Sequence, residues 1–228
     1  MDTKGIPDLL IMGDSHTAAL DLAVRDDVFT TSLLYIKGNH WHEGGFEHHK
    51  LAGIARPGSA YVRRKVARVR VEMGGQLFQK DRVVLASIGY HLGRFCPAMT
   101  RRGHTVDEAA FGANLDARFM STAMMEGVVN AKRAPLWDML SEVANECVLV
   151  VVAPPILSND LLSWQAAPFV TRSLRERGVM VWDPREQTGR MSQPLSDAWR
   201  TDDGVHGNMQ YGRAVLDGIF PQAVAECA

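Results

Sequence analysis

The side chains best suited to covalent chemistry lie near opposite ends of the chain. Gly13-Asp14-Ser15-His16 follows a short apolar run, and Thr201-Asp202-Asp203-Gly204-Val205-His206-Gly207-Asn208 forms a polar stretch close to the C-terminus. A serine hydroxyl is barely acidic, so as a nucleophile it needs a base to take its proton during attack. An aspartate three residues before a histidine, in one turn, can accept a hydrogen bond from one ring nitrogen and leave the other for a serine. Each half alone has a plainer explanation. Asp14 or Ser15 can cap a following helix, and Asp-x-x-His recurs by chance.

The elements that must position these groups follow from the hydrophobic pattern. Residues 7–12 read as a fully apolar strand, Gly13 to His16 as a tight turn, and the Ala/Leu-rich stretch to Val24 as a helix. Further strands are expected over 29–36, 82–88, 148–153 and 179–182. Helical spacing covers 61–73, with Val62, Val66 and Val69 on one stripe and Arg63, Arg64, Lys65, Arg68 and Arg70 around it as a solvated face. Helical composition also covers 107–145, with an interruption expected near Pro135, and the stretches 169–177 and 209–219. Residues 38–58 read as loop. Strands apolar along their whole length, alternating with helices, predict a parallel sheet covered on both faces. Ligands bind such a sheet beyond the carboxyl ends of its strands. Ser15 stands at such an end and at a helix N-terminus, where unsatisfied N–H groups and the helix dipole favour a nascent oxyanion.

The two blocks together, in this order and each at a strand-to-helix connection, resemble the SGNH/GDSL hydrolase family over nearly the whole chain. Gly13, Asp14 and Ser15 match its first block; Asp203, His206, Asn208 and Gly212 look like its last. The resemblance implies that Ser15 is the nucleophile, His206 the base and Asp203 its orienting acid, with Asp202 as the fallback. It implies a flavodoxin-like three-layer α/β/α sandwich with a mostly parallel five-stranded sheet. Where the family has Gly-x-Asn after its third strand, this chain has Gly89-Tyr90-His91, so His91 occupies the place of the asparagine that donates to the oxyanion. An imidazole N–H can donate there; a histidine packed at a strand end is the alternative. The second-block glycine, whose backbone N–H also donates, matches Gly58 ahead of the 61–73 helix, with Gly38 as the alternative. Pro154-Pro155 is similar to a family feature that shapes the pocket wall.

The implied activity is hydrolysis of a small acyl or O-acetyl ester through an acyl-enzyme, on a small-molecule ester or acylated carbohydrate. An O-acyltransferase using the same residues, or a non-catalytic ligand-binding protein on the same scaffold, are the rivals. A single domain over 1–228 is expected, with insertions near 38–58 and 93–135. The formal net charge of −1 and the absence of a one-faced basic surface argue against a nucleic-acid partner. No apolar run near the start is long enough for a signal-peptide core or membrane span, so a cytoplasmic protein is expected. Cys96, Cys147 and Cys227 lack metal-ligand spacing and fit reduced thiols. His40, His42, His48 and His49 cluster in a Gly-rich segment without an accompanying carboxylate or cysteine pattern, which favours a substrate-lining or solvated loop over a metal site. No cofactor is expected. Met120, Met124 and Met125 read as core filler or as an apolar acyl pocket.

Overall fold

The computed structural model describes residues 8–24, 30–90, 103–113, 116–155, 161–188, 197–204 and 206–227. Strand β1 (Leu9–Gly13) leads through helix α1 (Thr17–Val24) to β2 (Thr31–Tyr35). A short helix α2 (Gly38–Glu43) and an antiparallel pair, β3 (Glu47–His49) with β4 (Gly53–Ala55), precede helix α3 (Ala60–Glu72) and β5 (Val83–Ser87). Next come β6 (His104–Thr105), helix α4 (Glu108–Ala113), β7 (Arg118–Phe119) and the long helix α5 (Thr122–Ala144). Strand β8 (Val148–Val152), α6 (Leu161–Arg175), β9 (Met180–Trp182), α7 (Pro184–Thr188), a 3-10 turn (Asp197–Trp199) and α8 (Met209–Cys227) complete the order.

The central sheet has the order β2-β1-β5-β8-β9, and every pairing in it is parallel. Alternation along the strands divides the core in two. Leu10 and Met12 of β1, Val84 and Ala86 of β5, and Leu149 and Val151 of β8 face α3, α5 and α6. Leu9 and Ile11, Val83 and Leu85, and Val148 and Val150 face α1 and α8. The molecule is thus an α/β/α sandwich. From β1 the chain moves to one side to make β2 and returns to the other side to make β5, so the strand order reverses at β1/β5. A crevice opens at the carboxyl ends of the strands at such a switch point.

The stripe expected on α3 is buried, Val62, Val66 and Val69 facing the core while Arg63, Arg64 and Arg68 are exposed. The expected break at Pro135 does not occur. A proline inside a helix costs about 3 kcal/mol, but Met125 and Val129 before it and Leu136, Trp137, Leu140 and Val143 after it all bury in one core. Each such side chain contributes about 1.5–3 kcal/mol, so packing on both sides keeps the helix continuous. In the same way α6 runs through Pro168 and begins well before the expected 169. The region read as loop, 38–58, contains α2 and the β3–β4 hairpin. Met120 and Met125 are core residues, while Met124 is exposed. No helix among the described residues is long and apolar enough to cross a membrane.

Candidate active site

Ser15 lies in the turn between β1 and α1, and this turn is built by Asp14. The Asp14 carbonyl accepts the Thr17 N–H at 3.0 Å and the Thr17 hydroxyl at 2.6 Å, while its carboxylate accepts the His16 N–H at 3.1 Å. Asp14 therefore supplies the polar start of α1, and it is buried. The Ser15 side chain takes no part in that capping. It is exposed at the carboxyl end of the sheet, and its Oγ lies 2.8 Å from His206 Nε2.

His206 comes from a loop fastened at several points. An antiparallel bridge joins Arg200 to Gly207, and the Thr201 N–H donates to the His206 carbonyl at 3.0 Å. Asn208 closes the loop: its Nδ2 donates to the carbonyls of Ala198 (2.7 Å) and Arg200 (3.1 Å), and its Oδ1 caps α8 by accepting the Tyr211 N–H at 3.1 Å. The buried Tyr211 hydroxyl reaches across to the Ala153 carbonyl at the end of β8, at 2.5 Å. Burial raises its pKa well above the usual tyrosine value, so the hydroxyl stays a donor. Pro155 packs against Gly207, placing the Pro-Pro pair beside this loop.

Within the loop His206 Nδ1 lies 2.6 Å from Asp203 Oδ2. A carboxylate only accepts, so Nδ1 carries the proton, and the Nε2 lone pair receives the Ser15 hydroxyl. Asp203 Oδ1 accepts the His206 N–H at 3.0 Å and the Thr201 hydroxyl at 2.6 Å. Among the described residues, three donors thus hold the carboxylate that orients the ring. The contact is made by Asp203; Asp202, the alternative, is exposed in the same turn. The His16 ring lies beside that of His206, centroids 4.9 Å apart and planes tilted by 43°.

What draws these distant segments together is the packing of α8 on α1. Gly212 lies so close to α1 that a Cβ there would collide with the carbonyl oxygen of Ala19 and approach Ala23 Cβ to 2.8 Å. Only a residue without a side chain lets the two helices meet, and their N-terminal ends carry His206 and Ser15.

The glycines separate. Gly38, at the start of α2, lies against Asp14: a Cβ on it would be 2.9 Å from Asp14 Oδ2 and 3.5 Å from His42 Nε2. Gly58 stands just ahead of α3, with nothing within 4 Å of where its Cβ would be. Gly89 follows β5, and its carbonyl accepts a hydrogen bond from Trp137 Nε1 at 3.1 Å. His91 lies outside the described residues, as does Cys96.

The four clustered histidines diverge. His40 stacks on Tyr61 and contacts Arg56 through Nδ1 at 2.5 Å, His42 faces Gly38, His48 sits near Glu142 and Glu146, and His49 near Glu47. Among the described residues no group of three or more His, Cys, Asp or Glu side chains is placed to hold a metal ion. Sequence reasoning missed Thr201, although its place two residues before Asp203 is a usable signal. It also missed Trp137, which no local pattern connects to Gly89.

No family model matches this chain, and no curated protein matches it.

Proposed function

We propose that this protein is a serine hydrolase of the SGNH/GDSL type that cleaves a carboxylic ester through an acyl-enzyme. The observation that carries the reading is the continuous hydrogen-bonded chain from Ser15 Oγ through His206 to Asp203, at the carboxyl edge of a parallel sheet. Ser15 Oγ attacks the ester carbonyl carbon as His206 Nε2 takes its proton, and Asp203 stabilises the resulting imidazolium. The tetrahedral intermediate collapses with transfer of that proton to the leaving alcohol. Water then enters, gives a proton to His206 and attacks the acyl carbon; the second tetrahedral intermediate collapses, breaking the bond to Ser15 Oγ as His206 returns the proton to that oxygen, and the carboxylic acid is released.

The Ser15 N–H and the Gly38 N–H, from the exits of β1 and β2, are the donors suited to the oxyanion. Gly38 is favoured over Gly58 because it packs against Asp14, next to the nucleophile. The accessible position of Ser15 suits a small acyl or O-acetyl ester carried on a small molecule or carbohydrate.

A fluorophosphonate probe tests the reading, since it labels only an activated serine. Mass spectrometry of the labelled peptide is expected to place the adduct on Ser15, and Ser15→Ala and His206→Ala to abolish it. Absence of labelling across a range of pH would falsify the assignment and leave a ligand-binding protein on this scaffold.

A further inference from the structure

The exit of β5 carries a feature that the serine, histidine and aspartate do not use. In the sheet register Gly13 pairs with Ser87, so the segments that lead on to Ser15 and to Gly89 leave neighbouring strands, and paired strands lie about 4.8 Å apart. Gly89 has φ +104°, a conformation that side-chain-bearing residues rarely adopt. The turn swings the Gly89 carbonyl out of the strand and into the core beneath, where Trp137 Nε1–H holds it at 3.1 Å. Trp137 is fully buried, on the face covered by α3, α5 and α6.

A trans peptide is planar, and its C=O and N–H point in opposite directions. The N–H belonging to this peptide unit is that of Tyr90. With the carbonyl turned toward α5, that N–H points away from α5; α1 and α8, whose preceding turn and loop carry Ser15 and His206, cover the opposite face of the sheet. Tyr90 itself is buried, and its N–H makes no hydrogen bond with the described residues. The following side chain is locked as well: the Tyr90 hydroxyl bonds Thr171 Oγ1 at 2.6 Å, and Thr171 donates to the buried Asp183 at 3.1 Å. The peptide is clamped on both sides, as a preorganised donor must be.

We infer that the Tyr90 backbone N–H, aimed by the Trp137 bond to the Gly89 carbonyl, is the oxyanion donor at the exit of β5, in the role otherwise expected of the residue at 91. This inference rests on the esterase reading. Trp137 is then a positioning residue, acting through the Gly89 peptide without touching substrate.

The test uses the full chain with p-nitrophenyl acetate as substrate. Trp137→Phe keeps most of the bulk and removes the N–H that holds the carbonyl. Gly89→Ala adds a Cβ that meets only ordinary contacts, 3.6 Å from Leu140 Cδ1 at the nearest, and so perturbs chiefly the backbone conformation. Each is expected to lower kcat about a hundredfold, the usual effect of removing one oxyanion donor, with KM within twofold. Affinity for a trifluoromethyl ketone, whose hemiketal oxyanion occupies the same position, is expected to fall in proportion to kcat, a change that a merely structural role does not produce. Wild-type kcat in both variants overturns the inference, as does a loss of kcat confined to His91→Ala. Using two variants keeps the result decisive if one of them does not fold. Absence of turnover by the unsubstituted protein would instead sink the esterase reading.

Discussion

Within a single residue's reach, the site depends on how Asp203 is held. Its carboxylate takes the ring N–H, the His206 backbone N–H and the Thr201 hydroxyl, so ring tautomer and ring orientation are set together. Asp203→Asn keeps the shape but presents an amide that can donate to Nδ1, which favours the wrong tautomer. The expected loss in kcat for an ester is about 10⁴-fold. Thr201→Val removes the hydroxyl donor and leaves the charge in place, so a loss of roughly tenfold or less is expected. Steady-state kinetics on the two variants check this order, and equal losses would contradict it. The residues also differ in how much of their role could be read beforehand. Asp203 and His206 share a turn, so their contact is local and legible, whereas Asp14 and Ser15 were equally good caps until the structure gave that work to Asp14.

Among the elements, α8 has the central role, because its start carries the histidine loop and its body packs on α1. Alanine for glycine in a helix interior normally stabilises by about 0.8–1 kcal/mol. Gly212→Ala is expected to do the reverse, destabilising by about 1–3 kcal/mol through overpacking against Ala19 and Ala23. The urea midpoint checks the sign, and a stabilised variant would show that the helices are not in limiting contact. Asn208→Ala removes the α8 cap, for about 1 kcal/mol, together with both tethers to the loop before His206. Severalfold slower fluorophosphonate labelling should accompany the lower stability. Labelling at the wild-type rate would mean that the loop keeps its shape without the asparagine.

At the scale of the whole molecule, two buried tyrosines tie the strand exits to the helices, Tyr90 through Thr171 and Tyr211 through the Ala153 carbonyl. Burial first, and then the nearby Asp183 carboxylate, raise both phenols above the usual tyrosine value, which is about 10. Above that pH the unfolded chain releases these two protons while the folded chain retains them, so deprotonation favours unfolding. Their contribution to stability is complete below about pH 10 and is lost as pH rises through the folded values. Denaturant midpoints measured from pH 8 to 11.5 should fall above pH 10, and less steeply in the Tyr90→Phe, Tyr211→Phe double variant. An equally steep fall in that variant would assign the effect to other groups.

The sequence by itself determined the strands, because runs such as Val148–Val152 are apolar on both faces and have no stable place except inside a covered parallel sheet. It also singled out Ser15, Asp203 and His206 as candidates, through residue type and local spacing read together with the resemblance that joins the two ends of the chain. Three-dimensional packing decided what depends on energy summed over distant contacts. It carried α5 through Pro135, because apolar side chains on both sides share one core. It set Gly38 against Asp14 and left Gly58 ahead of α3, a choice made by where β2 exits relative to β1. It turned the Gly89 carbonyl toward Trp137, 48 residues further along the chain. Local patterns cannot record such pairings, because partners brought together only by the crossing of helices over a sheet leave no fixed spacing in the sequence.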